Sequence, residues 1–134
     1  MVALTSLLEN TKSQGRLTMQ TVEIETETIA IRSLDWDRDR FDIEFGLQNG
    51  TTYNSFLIQG EKTALVDTSH RKFQQLYLDV LNGLIDLSTL DYLIISHTEP
   101  DHSGLVQEVL QLAPQVTVVG AKVAIQFLKL PSNF

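Results

Sequence analysis

The sequence predicts an α/β (α+β) domain in which a mixed sheet is packed by helices. Two observations predict this class. The first half of the chain alternates apolar and polar residues with the period of β-strands, and turn residues separate the runs. The second half alternates amphipathic helical runs with short, uniformly apolar runs, which are typical of strands covered on both faces.

The alternating pattern begins at Val22, so residues 22–134 are predicted to form the domain and residues 1–21 a loosely ordered leader. Apolar and acidic residues then alternate, which predicts a half-exposed strand that continues over 29–34 after a bulge. Trp36 lies in the charged segment 35–40, and we expect it to be a packing anchor rather than a ligand platform.

Asn49-Gly50 predicts a tight turn, followed by two strands over 52–59 and 63–67. Gly60-Glu61 between them is a plausible two-residue hairpin loop. Apolar residues at helical spacing over 73–81 predict a helix that Asn82-Gly83 ends. The remaining elements are predicted as strands over 92–96 and 116–119 and helices over 105–113 and 121–128.

Composition excludes several classes of function. The chain has 134 residues, 43% hydrophobic and 20% charged, as ordinary globular domains have. Its net charge of −7 argues against nucleic acid and anionic membrane surfaces as partners, because no basic stripe is present. The absence of cysteine excludes disulfides, thiolate zinc sites and cysteine-ligated clusters. The polar start is a poor signal peptide, and we expect a cytoplasmic protein.

The strongest chemical feature is the metal motif, residues 97–102, His-Thr-Glu-Pro-Asp-His. His97, Glu99 and Asp101 occupy alternate positions, so an extended segment points them to one side, and Pro100 keeps Glu99 out of the helical region. His102 points differently, so that the last two residues fit a second metal. Two imidazoles and two carboxylates without sulfur suit iron or manganese at least as well as zinc.

The same residues are also compatible with an acidic helix start. Asp101 or Ser103 would cap the helix, and the acidic side chains would favour its positive end. Capping gives no reason for the two flanking histidines, whereas a strand-to-helix junction is a common place for ligand sites. The residues therefore favour metal binding without excluding the capping interpretation.

Three other residues are assigned lesser roles. We interpret His70 as a surface histidine near a helix cap, with an outer-sphere role as the alternative. Asp67 ends a strand and is expected to support the metal site by hydrogen bonding. Gly120 alone is very weak evidence for a phosphate loop, so no flavin or nucleotide site is predicted within this chain.

The motif His-x-Glu-x-Asp-His-Ser-Gly after a buried strand resembles the metal motif of the flavodiiron proteins. They are a branch of the metallo-β-lactamase superfamily in which Glu replaces the middle His of the hydrolases' His-x-His-x-Asp-His. The resemblance extends over residues 22–128 and is greatest to the cyanobacterial diflavin type. It implies that residues 22–134 are the N-terminal half of a metallo-β-lactamase-like αββα fold. The matching segments are Asp35-Trp-Asp-Arg, Phe41-Asp42, Gly50-Thr-Thr-Tyr-Asn-Ser-Phe-Leu-Ile58 and Leu65-Val-Asp-Thr68.

This resemblance implies a non-haem diiron oxidoreductase that reduces oxygen to water, or nitric oxide to nitrous oxide. By resemblance, His97 and Glu99 bind one iron, and Asp101 and His102 bind the other. In the family, electrons come from NAD(P)H through FMN on a flavodoxin-like module, often across a head-to-tail homodimer, and the cyanobacterial members add a flavin-reductase module. A later His, a bridging Asp and a final His complete the family's site, whereas residues 104–134 contain neither residue type.

The ending Leu130-Pro-Ser-Asn-Phe134 interrupts a helix, which favours a truncated chain that lacks the downstream half and the flavodoxin module. Two alternatives stay open. A zinc-dependent hydrolase of the same superfamily is disfavoured by Glu99 in place of His. A non-catalytic remnant, or a subunit that depends on a partner, predicts exposed apolar surface where the missing half-sheet packs.

Overall fold

The computed structural model describes residues 10–41 and 45–130. The strands in these residues are β1 (Asn10–Gln14), β2 (Leu17–Glu25), β3 (Thr28–Asp35), β4 (Arg40–Phe41), β5 (Phe45–Gly46), β6 (Thr51–Gln59), β7 (Thr63–Val66), β8 (Tyr92–Ile95) and β9 (Thr117–Gly120). The helices are α1 (Gln74–Leu84), α2 (Pro100–Ser103), α3 (Val106–Leu112) and α4 (Lys122–Phe127). Strands come first and helices alternate with strands afterwards, as predicted.

Seven strands form one mixed sheet in the order β1-β2-β3-β6-β7-β8-β9. Pairing is antiparallel from β1 to β7. Short turns connect β1 to β2, β2 to β3 and β6 to β7, whereas residues 36–50 connect β3 to β6. Pairing is parallel between β7 and β8 and between β8 and β9, because helices carry the chain back across the sheet. The predicted class, a mixed sheet packed by helices, is confirmed.

One face of the sheet packs against the helices. Its buried residues include Met19, Ile31, Leu57, Leu65 and Leu93, one from each of five strands, and they form a single core with helix residues such as Tyr77 and Leu81. Each fully buried apolar side chain of this size contributes about 1.5–3 kcal/mol. This packing fixes the strand ends on which the candidate site is built.

The other face carries a second apolar row, which we call the open face. The pairing register aligns its residues across the sheet as Val22, Ala30, Phe56, Val66, Ile94 and Val119. Val119 is 43% exposed, and Ile58 in the adjoining row is 39% exposed. Val22 and Ala30 at one end of this row are buried, with 8% and 6% exposure, so the exposed part is the end at Val119. Apart from Ser103 and Ala124, the buried residues of the described helices belong to the opposite core.

The N-terminal part differs from the prediction. Residues 10–20, expected within the leader, form β1 and the start of β2, whereas residues 1–9 lie outside the described residues. The predicted strand does not continue over 29–34, because a tight turn in which Glu27 has φ 61° separates β2 from β3 and the two strands pair as a hairpin. The register of this hairpin shifts between Glu23 and Glu25, as a bulge would produce. β1 is an exposed edge strand without an apolar face, so periodicity could not reveal it. The division into leader and half-domain stays a prediction.

Smaller differences concern exposure and element ends. β9 is the last strand of the sheet and is largely exposed rather than buried. Trp36 is 49% exposed and donates from Nε1 to Thr18 Oγ1 at 3.3 Å, so it is not a core anchor. Helix α1 continues through Gly83, and the loop between β6 and β7 spans three residues, 60–62. Among the described helices, none combines the length and apolarity that crossing a bilayer requires.

Candidate metal centre

The candidate site is built where β7 and β8 end. The two strands are parallel neighbours, so their carboxyl ends share one edge of the sheet. Asp67 follows β7 and donates its backbone N–H to Ile94 O at 2.8 Å, which extends the pairing by one residue. Its φ of 59° lies in the left-handed region, which is uncommon for a residue with a side chain and marks a constrained position.

The side chain of Asp67 joins the two loops that follow these strands. Its carboxylate is buried and accepts hydrogen bonds from Ser96 N at 2.8 Å and from the Ser96 hydroxyl. Its Oδ2 atom also lies 2.9 Å from His102 Nδ1. Asp67 thus makes the supporting contacts expected from the sequence, because it fixes both the end of β8 and the ring of His102.

A second set of contacts seats helix α2 against the loop after β7. Thr68 donates both its backbone N–H and its hydroxyl to His102 O, at 2.7 and 2.8 Å. The same hydroxyl accepts from Leu105 N at 3.1 Å. A Cβ added to Gly104 would lie 2.4 Å from Pro100 O and 2.6 Å from Ser69 O, so only glycine allows this approach. The position of α2, and of the candidate ligands Asp101 and His102 that it carries, therefore depends on this contact.

The metal motif is extended only in its first half. Glu99 has φ −61° and ψ 150° and acts as the N-cap of α2, as expected for a residue before proline. A short helix, α2, begins at Pro100, five residues before the predicted helix 105–113, and Asp101 already belongs to it. Ser103 Oγ donates to Thr98 O at 2.8 Å and closes the turn. The expectation that His97, Glu99 and Asp101 share one extended segment was therefore wrong.

The four candidate ligands form two pairs. His97 Nε2 lies 3.3 Å from Glu99 Oε1, and His102 Nε2 lies 3.6 Å from Asp101 Oδ2. The two imidazole rings are close, with centroids 5.2 Å apart. In the described part of the chain, no group of three or more His, Asp or Glu side chains is arranged to hold a metal ion by itself. The chain thus presents two two-residue donor sets side by side.

The hydrogen bonds decide which ring nitrogen is available to a metal. Donation from His102 Nδ1 to Asp67 leaves Nε2 as the free lone pair, the usual carboxylate–histidine–metal arrangement. His97 differs, because its Nδ1 accepts from Thr98 N at 3.0 Å and its Nε2 then carries the proton of a neutral ring. Ligation by His97 Nε2 therefore requires the ring to give up the Thr98 hydrogen bond. His102 is prepared for a metal, and His97 is not.

The donor chemistry fits iron. Two ligands at right angles, each ~2.1 Å from one ion, stand about 3 Å apart. The observed pair distances, 3.3 Å and 3.6 Å, are slightly longer than that. Nitrogen with carboxylate oxygen is a donor set that iron and manganese accept. The alternative, in which Asp101 or Ser103 caps a helix, has less support, because no side chain makes a capping hydrogen bond at the N-terminus of α2.

The structure adds residues that the sequence did not single out. Ser96 and Thr68 position the motif through hydrogen bonds to Asp67 and His102, and their placement directly after strands was the available clue. His70 is the cap residue of the turn 71–73 and is half-buried rather than a free surface residue. Gly120 ends β9 at the sheet edge.

The mixed sheet with paired imidazoles and carboxylates at its strand ends is consistent with a metallo-β-lactamase-like domain, and the comparisons assign the class. The chain belongs to the ODP family beta lactamase, whose model matches residues 51–132. It is 71% identical over 115 residues to "Diflavin flavoprotein A 1" from Synechocystis sp. PCC 6803. That match covers 86% of this chain but only 20% of the relative, so the chain spans about a fifth of that protein's length.

Solved structures give the same assignment. The metal-soaked Flv1 flavodiiron core from Synechocystis sp. PCC6803 is 37% identical, with a TM-score of 0.78 over 86% of this chain and 28% of that one. A flavoprotein from Thermotoga maritima, 22% identical, has a TM-score of 0.80 over 87% of this chain and 30% of that one and supports the fold alone. The chain is therefore similar to a part of a flavodiiron core, about 28% of the Synechocystis chain.

Proposed function

We propose that this chain is the diiron-site portion of a flavodiiron oxidoreductase that reduces oxygen to water, or nitric oxide to nitrous oxide. His97 and Glu99 would hold one iron, and Asp101 and His102 the other. The observation that carries the proposal is the pairing of these four side chains beside the Asp67–His102 contact of 2.9 Å. Paired iron ions would supply electrons to a small molecule bound between them.

The protein's own residues prepare this chemistry. Asp67 keeps the proton of His102 on Nδ1, and Thr68 holds the backbone of His102 so that its ring cannot shift along the sheet edge. Glu99 brings a negative charge where the hydrolases of the superfamily carry a neutral imidazole, and that charge favours ferric iron. Two donors per ion leave each ion short of ligands, so we infer that further ligands come from sequence outside this chain.

The electron path belongs to the same proposal. NAD(P)H would be the source and FMN on a flavodoxin-like module the carrier, with a flavin-reductase module and a head-to-tail homodimer as in the family. These assignments rest on the family and on the similarity to the diflavin flavoprotein, of which this chain spans a fifth. A cytoplasmic location is part of the proposal and rests on the sequence.

The test is a hybrid in which residues 10–130 replace the matching segment of the Synechocystis diflavin flavoprotein A 1. Purified anaerobically, the hybrid should contain about two irons per chain and consume oxygen or nitric oxide with NAD(P)H. A matched pair of variants tests the role of Glu99 in metal selection. Glu99→Gln keeps the shape of the side chain and removes its charge, and Glu99→His restores the His-x-His pattern of the hydrolases. We expect both to lose iron, and Glu99→His to gain zinc.

Two outcomes would contradict the proposal. A hybrid that holds zinc and cleaves esters or thioesters would favour the hydrolase. A hybrid that binds no metal, although it folds and its flavin modules are occupied, would favour a non-catalytic remnant or a subunit that works through a partner. The open face, with Ile58 and Val119 more than a third exposed, is the observation that keeps this second candidate open.

A further inference from the structure

The carboxylate of Asp67 is shared among three hydrogen-bond donors. Its Oδ1 atom accepts from Ser96 N at 2.8 Å, and its Oδ2 atom accepts from the Ser96 hydroxyl. The same Oδ2 atom lies 2.9 Å from His102 Nδ1. A carboxylate oxygen offers two lone pairs, so the hydroxyl and the imidazole together use both at Oδ2. The negative charge that Asp67 offers to His102 is therefore divided with Ser96.

Solvent takes little part in this arrangement. The side chain of Asp67 is only 6% exposed, so water does not freely replace a lost donor. In such surroundings hydrogen bonds are stronger than in water, and those that share a group polarise one another. The backbone of Asp67 is fixed separately, because its N–H donates to Ile94 O at 2.8 Å. Loss of the Ser96 hydroxyl should therefore alter the bond to His102 without displacing the carboxylate.

Ser96 itself is a position where the hydroxyl can be changed alone. It follows the last residue of β8 and is exposed, so a smaller or slightly larger side chain there disturbs no core packing. Its backbone N–H, which binds Asp67 Oδ1, remains in alanine and threonine variants. The two contacts that Ser96 makes with Asp67 can thus be separated by substitution.

The shared carboxylate reaches only one of the two proposed iron sites. His97 Nδ1 accepts from Thr98 N at 3.0 Å, so this nitrogen has no proton to give to a carboxylate. His102 Nδ1, in contrast, donates to Asp67, which leaves its Nε2 lone pair for a metal. The sequence of contacts from Ser96 through Asp67 to His102 therefore acts on the Asp101–His102 pair and not on the His97–Glu99 pair.

We propose that Ser96 is a positioning residue of the centre, whose hydroxyl competes with the Nδ1–H of His102 for Asp67 Oδ2 and so limits the donor strength of His102 Nε2 toward iron. This inference rests on the proposed function and deepens it, because it assigns control of one ligand to a residue outside the ligand set. A carboxylate partner makes an imidazole a more basic ligand, and a hydroxyl on the same oxygen moderates that effect.

The sign of one substitution separates this role from simple support. If the hydroxyl competes with His102, Ser96→Ala lets Asp67 draw the Nδ1 proton more strongly, and iron binds more tightly. If the hydroxyl only holds Asp67 in place, the same change loosens the carboxylate, and iron binds more weakly. The two roles therefore predict opposite changes in affinity for Ser96→Ala.

The first measurement needs no metal. In a 1H–15N spectrum of the 134-residue chain, at a pH where the ring is neutral, the Nδ1 proton of His102 should move to higher frequency in Ser96→Ala, because its bond to Asp67 strengthens. Ser96→Thr keeps the hydroxyl and should restore the wild-type signal. An unchanged signal, or a shift to lower frequency, in Ser96→Ala would overturn the inference.

Ser88→Ala is the matched control for this spectrum. Ser88 donates its backbone N–H and its hydroxyl to Asp86 Oδ1, at 2.9 and 2.7 Å, so the substitution breaks the same kind of serine–aspartate contact outside the metal motif. The His102 signal should be the same in Ser88→Ala as in the wild type. A shift as large as that of Ser96→Ala would show that the signal does not report the Asp67 contact.

The second measurement uses the iron-loaded hybrid. Competition with a chelator should show one iron bound about 2–10-fold more tightly in Ser96→Ala, a part of the 10–100-fold effect of a whole outer-sphere partner. The reduction potential of that iron should fall and that of the other stay the same, because a more basic ligand favours the ferric ion. Ser96→Thr should match the wild type in both quantities.

The failures of the two proposals are distinguishable. Weaker iron binding in Ser96→Ala, or equal changes in both potentials, refutes the role of Ser96 and leaves the diiron site standing. A wild-type hybrid that folds without iron refutes the proposed function, and with it this extension.

Discussion

The contact at Gly104 allows a prediction that separates steric from conformational effects of glycine. Gly104 has φ −60° and ψ −23°, a helical backbone that alanine adopts freely. A Cβ there would nevertheless meet Pro100 O at 2.4 Å and Ser69 O at 2.6 Å. Gly83 in α1 is the matched control, because a Cβ there meets nothing within 4 Å. Both changes add the same methyl group to helical backbone.

The expected magnitudes have opposite signs. Overpacking costs about 1–3 kcal/mol, and the obstructing atoms at Gly104 are backbone oxygens that no rotamer change can move aside. Replacing glycine by alanine returns about 0.4–1 kcal/mol by restricting the unfolded chain. Gly104→Ala should therefore lower the free energy of unfolding by about 1–2 kcal/mol, and Gly83→Ala should raise it by about 0.5–1 kcal/mol.

Urea unfolding followed by far-ultraviolet circular dichroism measures both changes. Thermal unfolding of the same variants gives Tm, in which 1 kcal/mol corresponds to about 4 °C for a domain of this size. The Tm values of the two variants should therefore differ by roughly 6–12 °C. In the hybrid, only Gly104→Ala should also lower iron content, because it displaces the helix that carries Asp101 and His102. If the two variants are equally stable, the close approach of α2 to Ser69 is not present in solution and the reasoning fails.

Three further predictions follow from other contacts. Asp67→Asn in the hybrid should weaken iron binding about 10–100-fold, because the new amide accepts the Nδ1 proton of His102 less strongly than the carboxylate does. Competition with a chelator measures this change. An unchanged affinity for iron would show that Asp67 does not support His102 as a ligand. The pKa of Asp35 is lowered in the folded chain, so its contribution to stability is complete above the unfolded value of about 3.9 and is lost as pH falls through the folded value. Urea midpoints should accordingly fall less for Asp35→Asn than for the wild type between about pH 4 and 2, and parallel pH profiles would contradict this. Replacing Ile58 and Val119 by Ser should reduce the fluorescence of a hydrophobic dye bound to the 134-residue chain, because both side chains are exposed on the open face. Leu112→Ser, a control on the helical side, should reduce the fluorescence less. Equal effects would argue against a continuous open face.

Sequence patterns predicted the parts of the fold that local chemistry determines. Strands 52–59 and 63–67 were placed within a residue of β6 and β7, because their apolar positions repeat with the period of the sheet face they bury. The edge strand β1 has no buried face and left no such pattern. The apolar sequence of β9 predicted a buried strand, but β9 is the last strand of the sheet and is largely exposed. Composition alone does not show which strand lies at the edge.

The metal site stays a prediction, and the structure changes the geometry that the sequence suggested for it. The motif and its strand-to-helix junction follow from six consecutive residues, and the role of Asp67 from its place at a strand end. The early start of α2 follows from Pro100 at its first position, a common helix start that the extended interpretation set aside. The ion pair of Asp35 with Lys72 could not be predicted from the sequence, because the two residues are 37 positions apart in the chain and no local spacing indicates their contact.

The sheet topology explains why the buried pair Asp35 and Tyr53 lies at the same end of the sheet as the metal motif. β7, β8 and β9 are parallel, so residues after their carboxyl ends, including Asp67 and Ser96, gather at one edge. β3 is antiparallel to β6 and pairs Asp35 with Thr51, so the end of β3 and the beginning of β6 lie at that same edge. The hairpin half of the sheet thus places a buried carboxylate, Asp35, and a phenol, Tyr53, at the same end of the sheet as the proposed metal ligands of the parallel half. The loop after β7 contacts both groups, through Asp67 and Thr68 on the side of His102 and through Lys72 on the side of Asp35. Strand β6 also links them, because Tyr53 donates to Asp35 and the strand contacts α2.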